Sequence, residues 1–239
     1  MKKIIVLVFS FLISAASAQI TDSTVFELRI YKIAEGQRES FIHLFKNEIS
    51  KLIEKHQMKF YGCWTDVDSN KVVYIVSHIN KVAMTTSWKN FYADPAWAPI
   101  KEKLNANEKT VLKTTSMLLR YSDIVPFKTN TSDAKLYELR IYYCFPGRLP
   151  NLITRFKTGT TRIFEKNGME NITYWTTIEK SGQSKLVYFV AHKDKAAQKA
   201  SWDSFGKDPD WIRHRNQSEK DGKIVERVES LSLTPFSIH

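Results

Sequence analysis

The chain has 239 residues, 43% of them hydrophobic, and its 36 Lys and Arg against 25 Asp and Glu set a formal charge of +11. That length and apolar content can bury one large core or two small ones, which excludes a disordered or collagen-like chain. The basic residues are spread through both halves beside acidic ones, so the concentrated stripe that nucleic-acid binding needs is missing and no nucleic-acid partner is expected.

Residues 1–18, MKKIIVLVFSFLISAASA, place two lysines before a short apolar run and end on Ala16-Ser17-Ala18. The pattern predicts an exported bacterial protein, periplasmic or secreted, whose signal peptide is cleaved after Ala18. The run Ile4 to Ile13 is too short for a helix across a hydrocarbon core of roughly 30 Å, so no stable membrane insertion is expected after cleavage.

Next comes an alternating strand, Val25 to Lys32, that reaches a turn at Gly36. Phe41, Leu44, Phe45, Ile49, Leu52 and Ile53 then recur at helical spacing. A strand near Lys59 to Thr65 turns through Asp68-Ser69-Asn70 into another, Val72 to His78. A second helix carrying Met84, Trp88 and Phe91 breaks at Asp94-Pro95 and restarts near Trp97, and a last strand lies near Thr114 to Tyr121.

The order then repeats. At an offset of 111, Glu27-Leu28-Arg29-Ile30-Tyr31 aligns with Glu138-Leu139-Arg140-Ile141-Tyr142, and Trp64 with Trp175. At 114, Tyr74 aligns with Tyr188, His78 with His192, Ser87-Trp88 with Ser201-Trp202, and Asp94-Pro95 with Asp208-Pro209. The expected domains are therefore 19–127 and 135–239, joined by a linker at 128–134 within the polar stretch Ser122 to Ala134. Each copy reads βαββαβ, an α+β ferredoxin-like unit with helices on one sheet face only. The bare faces predict two sheets packed against each other as a barrel, closed within the chain or between the chains of a homodimer.

Alternation sends Leu28 and Ile30 to one face and Glu27, Arg29 and Tyr31 to the other. The aliphatic pair suits the helix-covered face, which directs Glu27, Arg29 and Tyr31, and likewise Glu138, Arg140 and Tyr142, toward the barrel interior or its rim. There a Glu-Arg pair either fixes sheet pairing or meets a polar ligand group. Trp64 and Trp175, with Tyr74 and Tyr188, are candidate walls for a small, partly apolar ligand. His78 and His192 end their strands, as loop-bonded residues or as the weak catalytic candidates of the chain. Cys63 and Cys144 are non-equivalent in the repeat, so both are expected unbridged, a bridge requiring Cα atoms within about 7 Å. Nucleophile elbow, phosphate loop, dinucleotide fingerprint and zinc spacing are all missing, so neither cofactor nor metal is expected and no catalytic motif is found.

The Glu-Leu-Arg-Ile-Tyr strand, the glycine after it, the strand ending in histidine and the Ser-Trp-x-x-Phe-x-x-Asp-Pro-x-Trp helix together resemble the NIPSNAP family, in both halves. Copy two keeps the family's Pro-Gly at Pro146-Gly147, whereas copy one has Glu35-Gly36. The resemblance implies a dimeric α+β barrel of ferredoxin-like domains and no established catalytic residues. Related barrels include small-molecule binders and cofactor-independent monooxygenases. Two functions follow as expectations: binding of a small ligand, with Arg29 or Arg140 on an acidic or carbonyl group, or oxidation of a phenolic or quinone-like substrate with His78 or His192 as base.

Overall fold

The computed structural model describes residues 20–106, 109–128, 136–178 and 183–239. The expected signal peptide and most of the expected linker lie outside the described residues. No described helix is long and apolar enough to cross a membrane.

Copy one runs β1 (Val25–Ile33), α1 (Arg38–Leu44), α2 (Ser50–Lys55), β2 (Lys59–Asp66), β3 (Lys71–His78), α3 (Lys81–Ala93), α4 (Trp97–Lys103) and β4 (Val111–Tyr121). Copy two repeats it as β5 (Leu136–Cys144), α5 (Leu149–Arg155), α6 (Thr161–Lys166), β6 (Glu170–Thr177), β7 (Lys185–His192), α7 (Lys195–Lys207), α8 (Pro209–Ser218) and β8 (Val225–Pro235). In each copy the first two helices are joined by a single π-helical turn, Phe45–Ile49 or Phe156–Thr160, flanked on both sides by residues with right-handed helical dihedrals. The second helix breaks where expected: Asp94 and Asp208 turn extended, and their side chains cap the next turn through Ala96 and Asp210 N–H.

The strands form one closed barrel in the order β1-β3-β2-β8-β5-β7-β6-β4, every neighbour antiparallel. Two short junctions join the copies, with Trp64 opposite Pro235 on β2–β8 and Tyr121 opposite Trp175 on β4–β6. Closure removes every free strand edge and occurs within a single chain. The polar stretch ahead of the expected linker is itself packed: Ile124 is buried, Ser122 N–H donates to the Tyr174 carbonyl, and the Phe127 ring lies 5.8 Å from that of Phe26.

Three cores result. Phe26, Leu28, Trp64, Ile75, Leu139, Trp175 and Phe189 fill much of the barrel interior, while each copy has a separate core between sheet and helices. This reverses one expectation. Leu28 points into the barrel, and Glu27, Arg29 and Tyr31 point outward to the helices, as do their copy-two equivalents. Both faces of these strands are buried, so apolarity alone does not say which is inside. The polar residues lie where the helices offer donors, and the barrel interior, walled only by other strands, takes the aliphatic ones.

Candidate functional site

Alternation on β1 brings Glu27 and Arg29 against Trp88 of α3 and Tyr31 against Phe41 of α1, and the β1–β3 register sets Arg29 opposite Tyr74. Glu27 Oε1 accepts from Arg29 Nε at 2.8 Å and Ser116 Oγ at 2.7 Å, and Oε2 accepts from Trp88 Nε1 at 2.6 Å. The Arg29 guanidinium lies 3.8 Å from the centroid of the Trp88 ring, and the Tyr31 and Tyr74 hydroxyls are 2.9 Å apart. Burial pulls the Glu27 pKa up, but His78, Arg29 and the Ser116 and Trp88 donors outweigh it and hold it at about 2. Arg29, although buried, is kept charged by the Tyr74 and Tyr31 hydroxyls and Glu27.

Copy two builds the same cluster with more bonds. Glu138 accepts from Arg140 at 2.6 Å, Ser230 at 2.6 Å, Trp202 at 2.6 Å, Gln198 at 2.7 Å and His192 Nε2 at 3.1 Å. Tyr142 stands edge-on to Tyr188, with its hydroxyl 3.4 Å from Arg140. The two donors that copy one lacks have a sequence cause. Gln198 is replaced by Met84, and His78 Nε2 stops 3.7 Å from Glu27, beyond hydrogen-bond reach.

Eight of the expected ligand residues (Glu27, Arg29, Tyr31, Tyr74, Glu138, Arg140, Tyr142 and Tyr188) therefore lie in the sheet–helix layers, where their polar groups bind largely one another. Trp64 and Trp175 do lie in the barrel interior, packed on Phe189 and Phe26. The ten do not form one site, because neighbouring residues on a strand belong to different layers. Of the two candidate bases, His192 bonds Glu138 through Nε2 and only its Nδ1 is unpartnered, whereas His78 makes no hydrogen bond at either nitrogen, its Nε2 lying 3.7 Å from Glu27 Oε2.

His78 is 3% exposed, and neither ring nitrogen has a hydrogen-bond partner among the described residues. It lines a cavity of about 980 Å³ between β2, the end of α2, the start of α3 and the C-terminal residues. Met58, Phe60, Ala83, Phe236 and Ile238 give that cavity apolar walls, and Cys63 and Ser87 give it small polar ones. In copy two Tyr174 stands in the place of Cys63; it stacks on Tyr188 at 4.9 Å and 12°, and its hydroxyl donates to Asn171 at 2.5 Å. Cys63, opposite Tyr74 in the β2–β3 register, has no ring to fill the equivalent space. Both cysteines are free and buried in different cores. Burial raises the Cys63 thiol well above its ordinary range and the Cys144 thiol to about 11, so neither is a thiolate nucleophile at neutral pH. Candidate ligand residues on β2 and the tail were missed because helical and strand periodicity mark them as core. The signal that points to them is the mismatch of Cys63 with Tyr174 in the repeat.

No group of three or more metal-ligating side chains occurs among the described residues. No curated protein sequence matches the chain. Similar solved structures include a protein provisionally named a monooxygenase from Lactobacillus acidophilus NCFM (15% identity, 89% of this chain and 94% of that one, TM-score 0.58). They also include an anthrone oxidase-like protein (11% identity, 90% and 92%, TM-score 0.59) and an uncharacterised NIPSNAP domain protein from Burkholderia xenovorans (21% identity, 43% and 98%, TM-score 0.39). The first two share the tandem-barrel fold. The sequence profile of NIPSNAP matches residues 26–126 and again 137–239, the two copies already seen as repeats, and the chain accordingly belongs to the NIPSNAP family as a tandem of two of its domains.

Proposed function

We propose that this protein binds a small, partly apolar molecule in the copy-one cavity, rather than at the centre of the barrel where the notional ligand would meet packed side chains. The observation that carries this is His78: a buried imidazole with no hydrogen-bond partner, on the wall of a space of about 980 Å³. Buried polar groups are ordinarily satisfied, and small-molecule sites combine apolar walls with one or two fixed polar groups in about 300–1,000 Å³. The ligand's polar end, a hydroxyl or carbonyl, bonds His78 while its apolar body lies against Met58, Phe60 and Phe236. The test is extraction and mass spectrometry of the purified chain, with thermal-shift titration of naphthols and quinols. Native protein is expected to be stabilised and Cys63→Tyr, which installs the copy-two ring, is not. Stabilisation retained in Cys63→Tyr overturns the assignment.

The same imidazole supports a second reading as an oxidase-type enzyme, in keeping with the names of two structures of this fold. His78 would take the proton of a naphthol hydroxyl, leaving the electron pair on the naphtholate, which dioxygen would then oxidise to the naphthoquinone, one oxygen atom entering the ring and the other leaving as water. Oxygen uptake with a bound naphthol that is lost in His78→Ala supports it. A full rate in that variant removes His78 as base.

A further inference from the structure

The ends of the barrel differ. Toward the start of β1, Phe127 closes on Phe26 and Tyr61, and Tyr61 donates to the Lys128 carbonyl at 2.8 Å. Toward the end of β1 the interior opens into a cavity of about 410 Å³. Its depth is apolar, with Ile30, Met117, Leu139, Ile141 and Leu231 on the walls. Its rim is cationic, because the last inward-facing position on three adjacent strands is lysine.

Lys32 on β1 is paired directly with Lys71 on β3 and with Lys113 on β4. Like charges directly opposite across strands are destabilising, so three in a row call for a counter-charge. Asp66 reaches only Lys71, at 3.7 Å, and no carboxylate among the described residues pairs with Lys32 or Lys113. Glu229 on the far wall is already held by Arg227 and by the Tyr143 hydroxyl at 3.1 Å. On the copy-two side of the same mouth Tyr143, which also lines the cavity, stands at the position of Lys32, its ring covered by Arg227 at 3.4 Å and Lys185 at 5.4 Å.

We infer that this mouth binds a small anionic amphiphile, its acidic head on Lys32 and Lys113 and its apolar tail passing inward between Ile30 and Leu231. Eight-stranded barrels are wide enough to hold one small ligand in this way, and 410 Å³ lies within the range of such sites. The site is separate from the copy-one cavity and does not depend on that reading.

Decanoate is the probe, titrated calorimetrically into the full chain at low ionic strength, with decanol as the uncharged control and vesicles of anionic phospholipid as the membrane control. Decanoate is expected to bind at least tenfold more tightly than decanol. The double variant Lys32→Gln/Lys113→Gln, changed at exposed positions, is expected to lose at least tenfold, and Cys63→Tyr is expected to bind as the native chain does. Added salt should reduce the native affinity toward that of the double variant. Four results overturn the proposal: no decanoate binding up to millimolar concentration, unchanged affinity in the double variant, loss in Cys63→Tyr instead, or lysine-dependent binding to vesicles without binding of free decanoate.

Discussion

Replacing Glu138 by Leu should destabilise the protein distinctly more than replacing Glu27 by Leu, although the two are equivalent in the repeat. Both changes keep side-chain bulk, strand an arginine, and orphan a tryptophan N–H and a serine hydroxyl, so those losses are common. Breaking such a buried pair from one side costs about 3–5 kcal/mol. At Glu138 two further donors lose their acceptor, Gln198 at 2.7 Å and His192 at 3.1 Å. Each buried donor left unsatisfied costs about 1–3 kcal/mol, which makes Glu138→Leu worse by about 2–6 kcal/mol. For a chain of this size that is a melting difference of roughly 10 °C, readable by differential scanning calorimetry. Equal melting points, or a larger drop for Glu27→Leu, would refute the claim that the copy-one cluster is the looser one. That looseness is what leaves His78 available to the cavity.

Acid should unfold the protein partly through the same carboxylates. The Glu27 pKa falls from an ordinary 4.5 to about 2 in the fold, and Glu138 is held low as well, so their stabilisation is complete above 4.5 and is lost as pH falls toward 2. For Glu27 this amounts to about 3 kcal/mol, and Glu27→Gln should flatten urea midpoints measured between pH 5 and 2.5 by that amount. A Cβ on Gly62 would lie 2.6 Å from Trp64 Cζ2, so Gly62→Ala should cost about 1–3 kcal/mol and change the near-ultraviolet dichroism of the buried indole. An unaltered spectrum and melting point would show that the ring does not lie over that backbone. In the cavity, Cys63→Tyr should raise the melting point slightly or leave it unchanged while abolishing thermal shifts by naphthols; a large loss of stability would mean that the space is not there to be filled.

Much of the fold is legible in residue order. The offsets of 111 and 114, the alternation of Glu-Leu-Arg-Ile-Tyr and the helix breaks at Asp94-Pro95 and Asp208-Pro209 depend on local periodicity and proline geometry, and they appear in the structure as expected. The need for a second sheet follows from the same pattern, since one βαββαβ unit leaves a face bare. What alternation cannot carry is direction. Strands buried on both sides have two inside faces, and only the position of the Trp88 and Trp202 donors decides that Glu27 and Glu138 turn outward. The two sites are tertiary for a related reason. Lys32, Lys71 and Lys113 become neighbours through strand register, and the copy-one cavity exists because Met58 and Cys63 meet Phe236, distant in the chain, where copy two has a stacked tyrosine.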